Sequence, residues 1–206
     1  MNRRIARAAS AVNGLCVAGF ALCMALGSAF GSYLCSLGIA LSFLPMIAAI
    51  AERAPRDRRV AGLTALGFAA VYAAVISVVY FAQLTTVQMG GLSAEAEALL
   101  DYGQFGLFFN LDLLGYAMMA LSTFFAGLAM EPGPARWLKR LLTAHGAFFF
   151  SCLICPMLGV FRPGMGGPEW IGVALLECWC LYFLPISALA FRFFSREEAN
   201  RMEECT

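Results

Sequence analysis

The chain has 206 residues, of which 61% are hydrophobic and only 13% are charged, and its mean hydropathy is +0.77. A soluble domain carries about 25% charged residues, so this composition excludes an ordinary soluble fold. The net charge is +1, and the short basic segments contain no nucleic-acid-binding motif, so nucleic acid is not an expected partner. We therefore predict an all-α, polytopic membrane protein whose main partner is the lipid bilayer.

The first two spans come from one uncharged stretch, 10–51. As a single helix it would be ~63 Å long, against a hydrocarbon core of ~30 Å. A turn near Gly27 divides it into span 1 at about 10–27 and span 2 at about 32–51. Three arginines before an apolar run also fit a cleaved signal peptide. However, the Gly-Leu and Gly-Phe-Ala pattern at 14–21 recurs at 62–69, which favours a retained helix.

Four further spans are predicted at about 60–86, 104–130, 141–161 and 170–194. The connector 87–103 carries three acidic residues and no basic residue, and Ser93 is expected to cap a short helix there. No connector is long enough for a soluble domain. Residues 1–206 therefore form a single integral membrane domain with the short loops of a prokaryotic polytopic protein.

Basic residues mark one side of the predicted membrane. All Lys and Arg residues except Arg162 lie at 3–7, 53–59, 136–140 or from 192 onwards. Because basic loops are retained in the cytoplasm, both termini are predicted to be cytoplasmic, with the chain in the cell membrane. The basic loops are expected to contact anionic lipid headgroups. Aromatic residues fit this orientation, those predicted near the outer boundary being Tyr33, Tyr80, Tyr102 and Trp170.

Two patterns concern how the spans pack. Small residues recur every four positions on span 3, at Ala61, Ala65, Ala69, Ala73 and Ser77, and on span 1, at Ser10, Gly14 and Ala18. Such stripes predict close helix contacts. The sequence LSFLPM at 41–46 is echoed by LYFLPI at 181–186. The echo favours a six-helix transmembrane bundle of three helical hairpins, the alternative being shared apolar composition.

Two acidic residues lie inside predicted spans, Asp112 in span 4 and Glu177 in span 6. Helical rise places both roughly 10–12 Å below the outer boundary. No Lys or Arg lies well inside a span, and an unpaired charge there costs about 2.5–3.5 kcal/mol, so we expect each acid to be protonated or to bind water or a cation. Tyr116 and Gln83 complete a predicted outward-facing polar site. The alternative is that both acids only bond a neighbouring helix near the interface.

His145 is the only histidine and is predicted five residues into span 5 from the inner face. Its axial distance from Asp112 is roughly 11 Å in a ~30 Å core, so a proton relay between them would need water. The alternative is a hydrogen bond from His145 to a backbone carbonyl near the headgroups.

Cys152 and Cys155 form a C-x-x-C inside span 5. This tetrapeptide resembles the one that membrane thiol oxidoreductases, the vitamin K epoxide reductase-like and quinone-linked oxidases, place in a transmembrane helix. The resemblance is confined to these four residues and implies thiol redox chemistry. The connectors 87–103 and 162–169 lack the second cysteine pair that those proteins generally use. A kink at Pro156 is the alternative reason for the pattern, and no metal site is expected because the histidine is distant.

Together these residues favour a small-molecule or ion transporter, or its membrane subunit, with an outward site at Asp112 and Glu177. The second hypothesis is a non-transporting partner or sensor subunit whose buried acids pair with a basic residue of another chain. The third is a thiol redox protein. No phosphate loop, Ser-His-Asp order, H-E-x-x-H or dinucleotide motif is present, so neither an enzymatic activity nor a cofactor is predicted.

Overall fold

The computed structural model describes residues 2–131, 133, 135–161 and 169–203, with the backbone alone at 169–170 and 196–203. Within these residues, six helical stretches are long and apolar enough to cross a membrane. This finding confirms the prediction of an all-α chain with six long apolar helices, and it indicates a multi-pass membrane protein. The predicted outer segment around Arg162 and the side chain of Trp170 lie outside the described set.

The helices differ in their bounds from the predicted spans: most begin earlier, whereas the helix in the span predicted at 104–130 is shorter than that span. They are α1 (Asn2–Ala25), α2 (Ala29–Glu52), α3 (Arg59–Ala82), α4 (Ala94–Leu100), α5 (Leu107–Ala129), α6 (Arg136–His145), α7 (Phe148–Met157) and α8 (Glu169–Glu203). A π-helical segment, Gln83–Val87, continues α3. The short helix α4 lies in the connector where it was predicted, and the Ser93 hydroxyl caps it.

The fifth span shows the largest difference from the sequence-based expectation. Arg136–Met157 is one of the six long apolar stretches, but its break is a tight turn at Gly146 and Ala147, between α6 and α7, instead of a kink at Pro156. The amide groups of these two residues bond to carbonyls three residues back, which tightens the helix locally. A Cβ on Gly146 would lie 2.7 Å from that of Phe124, so glycine permits a close approach to α5 at this turn. Pro156 lies in the last turn of α7.

Neighbouring helices contact one another in chain order. The contacting pairs are α1 with α2, α2 with α3, α3 with α5, and α5 with both α6 and α7. The last helix, α8, packs most extensively on α1 and also contacts α6. Two of the three predicted hairpins, α1/α2 and α3/α5, are therefore contacting pairs, whereas the main partner of α8 comes from the first hairpin.

The α1/α2 contact is built from alternating cysteine and glycine. Three pairs interlock: Cys16 with Gly38, Gly19 with Cys35, and Cys23 with Gly31. A Cβ placed on Gly38, Gly19 or Gly31 would lie 2.6, 2.9 or 2.5 Å from the facing sulfur. Each glycine thus makes room for a thiol of the other helix, which brings the two backbones close together.

The two predicted stripes of small residues differ in how far they are buried. On α3 the stripe is largely buried, and the Ser122 hydroxyl of α5 donates to the carbonyl of Ala65 at 2.8 Å. On α1 the prediction is wrong at Ala18, which is exposed. The buried face of α1 includes Ser10, Asn13, Val17 and Phe20 instead. A spacing of three and four residues, rather than a strict four, keeps to one side of an α-helix.

Basic residues from different segments meet at one end of the helices. Arg58 and Lys139 both donate to the carbonyl of Met130, at 2.6 and 2.7 Å. The Arg53 guanidinium lies over the ring of Phe194, 4.9 Å from its centroid. The loop between α2 and α3, the start of α6 and the end of α8 therefore lie together. The connector 88–106 lies at the opposite end.

Candidate functional site

Asp112 lies near the start of α5, and only 2% of its surface is exposed. Its Oδ2 accepts a hydrogen bond from the Tyr102 hydroxyl at 3.3 Å. Its Oδ1 is buried and has no hydrogen-bond partner among the described residues. Within the same part of the chain, no Lys or Arg forms an ion pair with it. Asp112 is thus a buried acid with half of its carboxyl group unsatisfied, which is rare for a buried polar group.

Tyrosine side chains surround this acid. Five of the six tyrosines of the chain lie within electrostatic range of Asp112, and we call them the tyrosine cluster: Tyr33, Tyr72, Tyr80, Tyr102 and Tyr116. Ring centroids are 5.6 Å apart for Tyr33 and Tyr80 and 5.9 Å apart for Tyr72 and Tyr116. Four helical or connector segments contribute to the cluster, so it forms only when the chain folds.

Tyr102 reaches Asp112 from the connector, and Gln83 holds it in place. The Gln83 Nε2 donates to the Leu100 carbonyl at 2.7 Å, and its Oε1 accepts from the Tyr102 amide at 3.1 Å. Burial and the nearby Asp112 charge raise the pKa of the Tyr102 hydroxyl well above its usual range, so this group stays a hydrogen-bond donor.

The connector is compact where it passes over the site. The Asp101 side chain accepts from the Gly103 amide at 2.9 Å and starts a short 3-10 turn. At Gly106, a Cβ would overlap the carbonyl oxygen of Ala98, so only glycine fits this approach. These contacts fix the backbone on both sides of Tyr102.

Phenylalanine rings form a second layer next to Tyr102. Phe109 packs edge-on against Tyr102, with ring centroids 5.1 Å apart. Phe161 contacts both Phe109, at 5.3 Å, and Phe105, at 6.2 Å. The surroundings of Asp112 are therefore aromatic rings and phenol hydroxyls, with the hydroxyls of Tyr80 and Tyr102 next to the carboxyl group.

The other predicted acid, Glu177, lies on α8 and is half-buried. Its Oε1 is buried without a hydrogen-bond partner among the described residues. The structure gives no contact between Glu177 and Asp112 in that part of the chain. Of the four residues predicted for the polar site, the structure brings together Asp112, Tyr116 and Gln83.

His145 is fully hydrogen-bonded between three helices. Its Nε2 accepts from the Trp179 indole N–H at 3.1 Å, and its Nδ1 lies 2.9 Å from the Thr123 hydroxyl. Because indole nitrogen only donates, Nε2 must be the acceptor and Nδ1 must carry the proton. Nδ1–H then donates to Thr123, whose hydroxyl donates to the Ala120 carbonyl at 2.9 Å. In this chain of hydrogen bonds His145 is neutral, with its one proton on Nδ1.

Asn13 forms a comparable network that the sequence analysis did not identify. Its Nδ2 donates to the Ile39 carbonyl and to the Ser42 hydroxyl, both at 3.1 Å. Its Oδ1 accepts from the Ser187 hydroxyl at 2.9 Å. The side chain is fully buried and joins α1, α2 and α8. The sequence feature that could have identified this network was the amide side chain of Asn13 within an apolar span.

Cys152 and Cys155 lie one turn apart on α7, and both thiols are free and partly exposed. Cys152 is within electrostatic range of Asp112. Among the described residues, no group of three or more His, Cys, Asp or Glu side chains is arranged to hold a metal ion.

No protein-family model matches this chain, and neither does any curated protein or solved structure. These comparisons therefore assign no role to the tyrosine cluster. Its function is therefore argued from the chemistry of Asp112 and the aromatic side chains around it.

Proposed function

We propose that this protein is a cell-membrane transporter, or the membrane subunit of one, that binds a cation or a proton at Asp112. In this proposal the six long helices span the bilayer and both termini are cytoplasmic, as the distribution of basic residues indicates. The tyrosine cluster then lies on the outer side, opposite the basic end.

One observation carries the proposal: the unsatisfied Oδ1 of a fully buried Asp112. A charged side chain at the centre of a membrane helix costs about 2.5–3.5 kcal/mol on insertion scales, and burial without partners does not recover that cost. A bound cation would pair with the free oxygen, and a bound proton would remove the buried charge. Intramembrane acids of this kind commonly mark ion or proton pathways.

Infrared spectroscopy of the purified protein in lipid nanodiscs tests this proposal. We expect a carboxyl band that responds to pH or to added cation in the wild type and is missing in Asp112→Asn. In an uptake assay, Asp112→Asn should abolish proton- or cation-dependent transport while membrane levels stay normal. A carboxyl spectrum unaffected by pH and by cations, or normal uptake by this variant, would contradict the proposal.

Arg162 provides the matched control, since it follows Phe161 in the sequence and lies outside the described residues. If its charge neutralised Asp112, the Arg162→Gln variant would change the Asp112 band as strongly as removing the acid itself. We expect Arg162→Gln to keep the response of this band to pH or cation.

Glu177 favours one alternative, a subunit that pairs with another chain. It lies on α8 next to Cys178 and one turn from Leu181, both of which are exposed. A basic residue of a partner helix at this surface would satisfy the free Oε1. In that case Glu177→Gln releases a co-purifying protein, whereas a chain that purifies alone with unchanged behaviour rules the pairing out.

A further inference from the structure

Tyr102 makes the contacts that a ligand of this site would make. It comes from the connector rather than from a long helix, and its hydroxyl donates to Asp112 at 3.3 Å. Its ring lies 5.1 Å from Phe109, 6.1 Å from Tyr33 and 6.3 Å from Tyr80, centroid to centroid. Tyr102 thus places its hydroxyl on Asp112 and its ring among three other aromatic rings.

This position is held from outside the cluster by one side chain. Both polar groups of the Gln83 side chain form hydrogen bonds with the backbone, one with Leu100 and one with Tyr102. A ligand that displaced Tyr102 would have to break these two bonds, but the rings of the long helices would stay in place.

The chemistry around Asp112 selects among possible ligands. Metal cations such as Na⁺ or Ca²⁺ prefer several carboxylate, carbonyl or water oxygens, whereas this site offers one carboxyl group among tyrosine hydroxyls and aromatic rings. Aromatic faces attract organic cations, and ring edges pack well against another ring. An anion would meet the acid with the wrong charge, and a neutral ring would leave Oδ1 unsatisfied, as Tyr102 does.

We infer that the ligand is an aromatic organic cation, and that Tyr102 occupies its place when the site is empty. The inference rests on the proposed function, since it names the substrate class for the same Asp112 site. The cationic group pairs with the free carboxylate oxygen, and an aromatic ring of the ligand replaces that of Tyr102.

Equilibrium binding to the full-length protein in nanodiscs tests this inference, with empty nanodiscs as the background. The probes are tetraphenylphosphonium, tetraphenylborate of the same shape and opposite charge, and tetraethylammonium, a cation without rings. We expect tetraphenylphosphonium to be the one probe of the three that binds saturably. Its affinity for Asp112→Asn should fall by at least about tenfold, which is the expected effect of losing one strong charge interaction.

The decisive variant is Tyr102→Ala, because a competing side chain differs from a contact residue in the sign of its effect. If the displaced state is about a tenth populated, removing the competitor tightens tetraphenylphosphonium binding by up to about tenfold. Tyr102→Phe, which keeps the ring and loses only the hydroxyl, should shift affinity in the same direction by less. Tyr182→Phe is the matched control: its hydroxyl donates to the Leu141 carbonyl at 2.7 Å, outside the tyrosine cluster, and we expect no shift.

The inference and the proposed function fail in different ways. Weaker or unchanged binding in both Tyr102 variants, or equal binding of tetraphenylborate, overturns the inference. If tetraphenylphosphonium does not bind but the Asp112 infrared band still responds to pH or a metal cation, the inference fails and the proposed function stands. If that band responds to nothing, the proposed function fails as well.

Discussion

His145 and Asp112 are both ionisable and almost fully buried, at 1% and 2% exposure, yet their surroundings differ in kind. Both ring nitrogens of His145 have a partner in a directed chain from Trp179 to Thr123. Asp112 Oδ2 accepts from the Tyr102 hydroxyl, the Tyr80 hydroxyl lies near the same carboxyl group, and Oδ1 has no hydrogen-bond partner among the described residues.

In our proposal, this difference separates a polar group that joins helices from one that binds a ligand. Inside a bilayer, a polar side chain whose hydrogen bonds are all made within the protein contributes to helix association. One whose bonds are incomplete opposes folding, and its retention needs another explanation. By this criterion Asn13 belongs with His145, whereas Asp112 belongs with Glu177, Ser36 and Tyr72, each of which has a buried oxygen without a partner among the described residues.

The largest expected effect on stability comes from removing the His145 side chain. His145→Ala leaves the Trp179 indole N–H without its acceptor and creates a cavity among aromatic rings. We expect the free energy of unfolding to fall by about 3 kcal/mol. Denaturant unfolding in micelles measures it, with Trp179→Phe, which removes one donor, expected to cost less. Equal stability of wild type and His145→Ala would refute a structural role for this network.

A smaller loss is expected at Asn13. Asn13→Ala removes three hydrogen bonds that join α1 to α2 and α8. Bonds of this kind in membranes average ~0.6 kcal/mol each, so we expect a loss of about 2 kcal/mol in the free energy of unfolding. Ser187→Ala removes one of the three and should cost about a third as much. If the two variants lose the same amount, the three bonds do not act together as described.

Asp112 should behave in the opposite way. Replacing it with asparagine removes an acid that the fold does not satisfy, so we expect the free energy of unfolding to rise by about 1 kcal/mol while ligand or proton binding is lost. The same unfolding assay measures the first effect, and the infrared titration measures the second. A marked loss of stability in Asp112→Asn would show that Asp112 stabilises the fold as His145 does, and would contradict the difference drawn between them.

Much of the fold could be predicted because it depends on local composition. Apolar length gave six long helices, and Ser93 before an acidic stretch gave the cap of α4. The turn at Gly146 was not predictable, because it follows from the contact with Phe124 on another helix. Pro156 was the more conspicuous local signal for a break, but it lies where α7 ends anyway.

The site was only partly predictable for the same reason. Asp112, Tyr116 and Gln83 could be selected, because a polar residue in an apolar span is visible in the sequence. Tyr33, Tyr80 and Tyr102 were expected near the outer boundary as single amphipathic rings, and Tyr72 was not singled out. Their convergence on one acid depends on tertiary packing, although Tyr72 and Tyr80, two turns apart on α3, already shared a face.

The smallest effect is expected at the C-x-x-C of α7. Its two thiols have no hydrogen-bonding role comparable with that of His145, so Cys152→Ala with Cys155→Ala should change the free energy of unfolding by less than about 1 kcal/mol. Binding at Asp112 should also be unchanged. Thiol alkylation in intact membranes should find both residues reduced. A disulfide between Cys152 and Cys155, formed and reduced with the redox state of the membrane, would instead support thiol chemistry. Because Cys152 is within electrostatic range of Asp112, that result would give the acid a role beside a redox pair.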